Sequence, residues 1–168
     1  MMLMTLLLTL CNIILLCLMI LTATVFMPYR GLAKNFPKDV QKALQPRLDE
    51  IDRLPKAPRI FGGILIIAMF LLFLAVFIIG GIDGINHSFT FGQHLLRFLM
   101  IAFGVKAFDM IALDYFLLTK TNFFPRFFPE TQGCAGWQQF GYNRKQHLRQ
   151  SVFMLICYFG MAFVFSRI

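Results

Sequence analysis

The fold is decided by residues 92–118, which read GQHLLRFLMIAFGVKAFDMIALDYFLL. The run is long and apolar enough to cross a membrane, because about 20 helical residues that each rise about 1.5 Å span the hydrocarbon. It nevertheless holds Lys106, Asp109 and Asp114, with His94 and Arg97 nearer its start. A charge inside a membrane is energetically costly, so we expect these side chains to be enclosed by other helices and to have partners or a function.

Three further apolar runs, residues 3–27, 60–82 and 151–166, accompany this one. The chain of 168 residues is 58% hydrophobic and 14% charged, whereas about a quarter of a soluble domain is charged. The runs at 3–27 and 60–82 also lack the polar face that a helix of a soluble protein needs. We therefore expect an all-α fold with four transmembrane helices in one integral membrane domain, residues 1–168. The first run lacks a basic start and a cleavage site, which favours a retained helix over a signal peptide.

Lysine and arginine concentrate in the polar stretches at 28–59 and 119–150, whereas residues 83–91 contain neither. The positive-inside rule then places both basic stretches in the cytoplasm and both termini outside, in a membrane that we expect to be the bacterial inner membrane. The net charge of +8 suits anionic lipids at the cytoplasmic face, and we expect no nucleic-acid partner. A bundle of four helices is narrow, which favours a homo-oligomer or a membrane-protein partner.

The first basic stretch has the pattern of an amphipathic helix, because apolar residues recur in it at helical spacing: Phe36, Val40, Leu44, Leu48 and Ile51. Asn35 is the expected cap and Pro37 the first turn, while Pro46 is expected to kink or divide the helix. Pro55 and Pro58 are expected to end it. We expect this helix to lie at the inner membrane surface, and the alternative is a solvated helix packed on the second basic stretch.

The second basic stretch is also aromatic. Four phenylalanines surround Pro125 and Pro129, which predicts a segment that is not a regular helix. Trp137 is expected in the aromatic belt at the head groups. The residues of this stretch that are candidates for a site facing head groups are Arg126, Glu130, Trp137, Tyr142, Arg144, His147 and Arg149.

The charges of the third run allow two interpretations. Lys106 and Asp109 are three residues apart and thus neighbours on one helical face, while Asp114 lies two turns beyond Lys106 and is rotated by about 80°. In the structural interpretation, Lys106 neutralises Asp109, and Asp114 meets Arg126 or Arg144. In the functional interpretation, Lys106, Asp109 and Asp114 carry a proton, hold an ion or bind a charged head group.

Metal and cofactor chemistry is not indicated. The cysteines show no ligand spacing, and three of the four lie in apolar runs, where a cysteine acts as a small hydrophobic residue. The predicted topology puts His87 and His94 outside and His147 inside, so these three cannot form one metal site. We expect no metal and no cofactor.

Several short motifs resemble those of a bacterial family of uncharacterised small four-helix integral membrane proteins. They are Phe108-Asp109, Leu113-Asp114-Tyr115, Pro125-Arg126-Phe127 and Pro129-Glu130-Thr131 with Gly133, followed by Tyr142 and His147. The family's Pro-Gly-Thr-Glu turn is altered here to Pro-Glu-Thr-Gln at residues 129–132. The resemblance implies a four-helix fold and a functional region around residues 108–147, and it implies no activity.

Three functions are compatible with these patterns. The first is a small transporter or an ion- or proton-handling protein that uses the charged third helix. The second is a membrane-embedded enzyme or binder of a lipid or isoprenoid, with Asp114 and the polar residues of the second basic stretch at its centre. The third is a non-catalytic subunit of a larger membrane complex. Whether the protein is an enzyme stays open at this stage.

Overall fold

The computed structural model describes residues 2–26, 36–51 and 56–168, and these contain helices and turns without a strand. The all-α prediction is therefore confirmed for the described part of the chain. The longer helices are α1 (Met2–Phe26), α2 (Lys38–Ile51), α3 (Ala57–Asn86) and α4 (Phe91–Phe108). They are followed by a π-helix (Asp109–Lys120), the single turn α5 (Phe123–Phe127), 3₁₀ turns at Pro129–Thr131 and Ala135–Gln138, and α6 (Arg144–Phe165).

Within the described residues, three helices, α1, α3 and α6, are long and apolar enough to cross a membrane. They indicate a membrane protein. The predicted third span is not among them, since it consists of α4 and the π-helix. Helix α3 runs beyond its predicted end to Asn86, so Asp83, expected in a loop, lies on a helix.

A four-residue connection, residues 87–90, joins α3 to α4. Ser88 has a φ of 53°, which lets the chain reverse within this short distance. Thr90 and Gln93 form a reciprocal cap at the start of α4, because the Thr90 N–H donates to Gln93 Oε1 over 2.8 Å and the Gln93 N–H donates to Thr90 Oγ1 over 3.4 Å. Local hydrogen bonds therefore stabilise this short connection.

The described residues group into two compact units. The first unit comprises Met1–Leu16, Phe70–Phe108 and Arg144–Ile168, and the second comprises Cys17–Met69 and Asp109–Asn143. The core of the first unit is aliphatic and aromatic, and it consists of Leu8, Val76, Phe77, Phe98, Ile101, Ala102 and Ala162. Helix α4 contributes most of the buried side chains of this unit, including His94, Arg97 and Lys106. Of the charged side chains expected to be enclosed, Arg97 and Lys106 are buried, whereas Asp109 and Asp114 are partly buried.

The second unit is built on an aromatic core, which consists of Phe36, Val40, Leu44, Leu118, Phe124, Phe128 and Trp137. The ring of Phe36 lies 4.9 Å from that of Trp137 and 5.2 Å from that of Phe124. Phe36, Val40 and Leu44 are thus packed on the second basic stretch, as in the alternative of a helix packed on that stretch. Trp137 is 5% exposed and its Nε1–H donates to the Thr131 carbonyl, so its ring lies in the protein core, and its place in the aromatic belt stays a prediction.

Helix α2 continues through Pro46 as one element, so the expected division is wrong, whereas the alternative, a kink, stays a prediction. The segment with Pro125 forms the single turn α5 and then a 3₁₀ turn, which agrees with the expectation that it is not a regular helix. Pro125 is tolerated there since a proline in a first turn removes an N–H that has no helical acceptor. Pro58 lies in the first turn of α3 for the same reason. Asn35 and Pro55, the expected cap and end of the first helix, lie outside the described residues.

Gly136 is the point at which the second basic stretch contacts the start of α2. Its N–H donates to Asp39 Oδ2 over 2.7 Å. A Cβ at this position would lie 2.5 Å from Pro37 Cβ and would also collide with the Asp39 carboxylate. A residue without a side chain is therefore required for this contact.

We expect Gly136→Ala to destabilise the second unit by about 1–3 kcal/mol, because the added methyl group forces Pro37 and Asp39 away. The chain's single tryptophan, Trp137, lies next to this contact, so its fluorescence during thermal unfolding in detergent measures the effect. Gly160→Ala is the matched control, since a Cβ at Gly160 meets no atom within 4 Å. Equal midpoints for the two variants would contradict the close contact at Gly136.

Candidate functional site

The second unit brings two carboxylates of the predicted site together. Oxygen atoms of Asp109 and Asp114 lie within 4.8 Å of each other, and both residues are partly buried. Two carboxylates at this distance repel each other strongly when both are ionised, and a proton or cation between them removes that repulsion. The pair is therefore a place where positive charge is stabilised.

The π-helix explains why these two side chains meet. Residues five apart lie on different faces of an α-helix, because five steps of about 100° turn the chain by about 500°. In a π-helix the backbone hydrogen bond joins residues i and i+5, which places residues five apart on neighbouring turns of one face. Asp109 and Asp114 have this separation, and Asp109 is the first residue of the π-helix. The rotation predicted for Asp114 relative to Lys106 assumed an α-helix throughout, whereas residues 109–120 form a π-helix.

Tyr142 and Asn143 of the second unit also interact with the pair. Asn143 Nδ2–H donates to Asp114 Oδ2 over 3.3 Å. Burial, together with the negative charges of Asp114 and Asp109, raises the pKa of Tyr142 to about 12. Tyr142 is therefore a neutral phenol over the physiological pH range, with a proton that stays in place beside two acids.

Cys134 belongs to the same unit and is not an activated thiol. Burial and the Asp39 carboxylate raise the pKa of Cys134. A raised pKa lowers the fraction of thiolate, which is the reactive form.

Lys106, the third predicted member of the charged group, belongs to the first unit. It is 9% exposed and its Nζ donates to Gln150 Oε1 over 2.9 Å. Gln150 is on α6, so this hydrogen bond joins α4 to α6 within the first unit. The predicted pairing of Lys106 with Asp109 stays a prediction.

The first unit also contains a buried ion pair that the sequence patterns did not single out. Arg97 of α4 is fully buried, and its Nη1–H groups donate to Asp83 Oδ2 over 2.6 Å and to the Gly80 carbonyl over 2.7 Å. Both acceptors lie on α3, so one guanidinium joins the two helices. The sequence signal was the end of the second apolar run: a helix extended past residue 82 and reversed by a short turn places Asp83 opposite Arg97.

Aromatic rings and a histidine surround this ion pair. The ring of Phe89 lies over the Arg97 guanidinium, with 4.4 Å from Cζ to the ring centroid, which stabilises the cation. His94, one helical turn before Arg97, is fully buried and stacks on Phe165 at 6.1 Å. A Cβ at Gly84 would lie 2.4 Å from the imidazole, so the histidine packs directly on the backbone of α3. Among the described residues, neither ring nitrogen of His94 has a hydrogen-bond partner.

The remaining candidates from the second basic stretch are divided between the two units. In the second unit, Arg126 is exposed, Glu130 accepts a 2.6 Å hydrogen bond from Arg47 Nη1–H, and Trp137 is in the core. In the first unit, three residues lie on α6: Arg144 and Arg149 are exposed and His147 is partly buried. Of the predicted candidates in the second unit, Tyr142 is the one whose pKa reflects the charges of the carboxylate pair.

We expect Asp114→Asn and Asp109→Asn each to lower the pKa of Tyr142 from about 12, since each removes a negative charge that opposes the tyrosinate. Ultraviolet titration of tyrosinate measures this, with Tyr142→Phe to assign the signal. A pKa raised in the folded state stabilises the fold fully below about pH 10, the pKa of an unfolded tyrosine. That stabilisation disappears as the pH rises towards 12. An unchanged titration in both variants would exclude the electrostatic contact.

We expect Asp83→Leu to lower the free energy of unfolding by about 3 kcal/mol, because it leaves the buried guanidinium without a counter-charge. The double variant Asp83→Leu with Arg97→Met should recover most of that loss, since it removes both charges. The free energies of unfolding of the wild type, the single variant and the double variant are measured in mixed micelles. Arg167→Met is the control, because Arg167 is exposed and contacts Phe163. A double variant no more stable than the single one would show that the pair does not carry this energy.

The geometry above is the basis for assigning a function. Comparisons with protein-family models, with curated proteins and with solved structures give no match to the chain.

Proposed function

We propose that the chain is a multi-pass membrane protein with four crossings, formed by α1, α3, α4 with its π-helix, and α6. The proposal is supported by the length and composition of α1, α3 and α6. It is supported for α4 by the burial of Arg97 and Lys106, since an enclosed charge avoids the hydrocarbon. The positive-inside rule favours cytoplasmic basic stretches and outer termini, in a bacterial inner membrane.

In this arrangement α2 lies at the cytoplasmic face of the membrane. Its apolar side is covered by Phe124, Phe128 and Trp137, so attraction to the membrane comes from its other side. Lys38 and Lys42 are exposed there. Each such cation near an anionic lipid surface contributes about 1 kcal/mol of binding. Anionic lipids are the partner that this charge favours.

The function proposed for the protein is the handling of protons or small cations by the third crossing. The observation that carries it is the approach of Asp109 and Asp114 to within 4.8 Å on one π-helical face. π-Helical turns are rare and occur frequently at functional sites. A partly buried pair of carboxylates takes up a proton or cation readily and releases it when the surroundings change.

The neighbouring residues have roles that fit this function. Asn143 orients the Asp114 carboxylate through its side-chain amide. Tyr142 remains protonated beside the pair, because its pKa is about 12. Lys106 precedes Asp109 by three residues in the sequence and is buried in the first unit. The narrow bundle favours assembly into a homo-oligomer or with another membrane protein.

The resemblance to small four-helix membrane proteins is consistent with this proposal, because its motifs include Asp109, Asp114 and Tyr142. The alternatives, a lipid or isoprenoid enzyme and a non-catalytic subunit of a larger complex, stay predictions.

Proton flux in proteoliposomes tests the function, with a pH-sensitive dye enclosed and a potential imposed. We expect Asp109→Asn and Asp114→Asn each to reduce flux at least about tenfold, which corresponds to about 1.4 kcal/mol in the barrier. The same vesicles with Na⁺ or K⁺ gradients distinguish proton movement from cation movement.

Lys120→Gln is the matched control, since it removes a charge from the exposed end of the same π-helix, where Lys120 lies over the Tyr115 ring. Its flux should equal that of the wild type. Folded asparagine variants that move protons and cations at wild-type rates would overturn the proposed function.

A further inference from the structure

An apolar groove opens between α3 and α6 in the first unit, with a volume of about 530 Å³. Its floor includes Phe77 and Tyr158, whose rings stack with centroids 4.8 Å apart. Its rim includes Leu74, Ile78 and Phe153, which are exposed. The volume is in the range of ligand sites, and the lining is almost free of polar groups. The occupant must therefore be a hydrocarbon chain or another apolar surface.

The length of the groove along α6 selects among apolar occupants. It ends near Met161, 12 positions beyond Arg149, and at about 1.5 Å per residue these are separated by about 18 Å along the axis. Half of the hydrocarbon core is about 15 Å thick. An acyl chain of one leaflet that starts at the level of Arg149 thus extends along most of this length and ends about 3 Å before Met161.

The positive charge at the Arg149 end of the groove indicates which head group binds. Arg149 lies four residues before Phe153, which puts both on one face of α6. Arg149 is exposed, as are Arg144 and Lys145 one turn earlier. The segment of α6 contains no acidic residue. Among the described residues none forms an ion pair with these three cations, which favours an anionic head group over a zwitterionic one.

We propose that this groove binds one acyl chain of an anionic phospholipid from the leaflet that faces the basic stretches, with its phosphate at Arg149. Tyr158 and Cys157 line the groove, so their phenol and thiol would lie beside this acyl chain. The proposal rests on the membrane crossing of α3 and α6, and it does not depend on the function of the Asp109–Asp114 pair.

Native mass spectrometry of the detergent-solubilised full chain tests it, with phosphatidylglycerol and phosphatidylcholine of identical acyl chains as probes. We expect the wild type to retain phosphatidylglycerol in preference, and Arg149→Gln to weaken that retention about fivefold, the effect of one surface cation. Arg167→Gln is the control, because Arg167 is an exposed arginine beyond the opposite end of α6 and its substitution should leave retention unchanged.

A second pair of variants tests the groove itself. Cys157→Phe fills it and should reduce retention of both lipids. If that variant does not fold, Leu74→Ala weakens the rim without disturbing a buried side chain, since Leu74 is 43% exposed. Equal retention of the two lipids by wild type and Arg149→Gln would overturn the proposal. So would filling variants that abolish a dimer without changing lipid retention, because a second copy would then be the occupant.

Discussion

A guanidinium that is fully buried between helices has to find its counter-charge inside the protein, and Arg97 finds it in Asp83. The rest of the first unit depends on this constraint. The pair fixes α3 and α4 at the distance of one hydrogen bond, and the four-residue connection between them is short enough to hold that register. A buried ion pair adds little net stability by itself, but a buried charge without its partner is costly. The pair therefore favours the one packing of α3 and α4 in which both partners meet. Phe89 and His94 then pack around the guanidinium.

The second unit depends on a different interaction, the packing of buried aromatic side chains. The apolar face of α2 has two possible partners, the lipid surface and the aromatic residues of the second basic stretch. Four rings, those of Phe36, Phe124, Phe128 and Trp137, contact one another, and such ring pairs add to the gain from burial. Once Val40 and Leu44 are covered, α2 presents mainly charge to its surroundings. Its relation to the membrane then becomes electrostatic.

The change from α-helix to π-helix at Asp109 connects the fold to the proposed function. Along an α-helix, the third apolar run would present its acids in different directions. The wider π-helical turn puts Asp109 and Asp114 side by side, next to Tyr142 and Asn143 of the following stretch. A local change of helical period thus creates a site where a proton or cation is favoured. Such a site needs residues at the right spacing, and it also needs the backbone geometry that brings them together.

Much of the fold was evident from residues 92–118 and the three other apolar runs. Whether a helix can cross a membrane depends on its composition and length, and both can be read directly from a sequence. The enclosure of Arg97 and Lys106 followed from the same physics, and so did the helix beginning next to Pro37. What the tertiary structure alone decided was the partner of each group. Periodicity identified the apolar face of α2 but not whether protein or lipid covers it. Helical spacing of 3.6 residues does not bring Asp109 and Asp114 together, and the sequence does not show the change to the π-helical period that does. Asp83 met Arg97 because α3 continues past the second apolar run and a turn of four residues reverses the chain, and hydropathy alone does not fix where a helix ends.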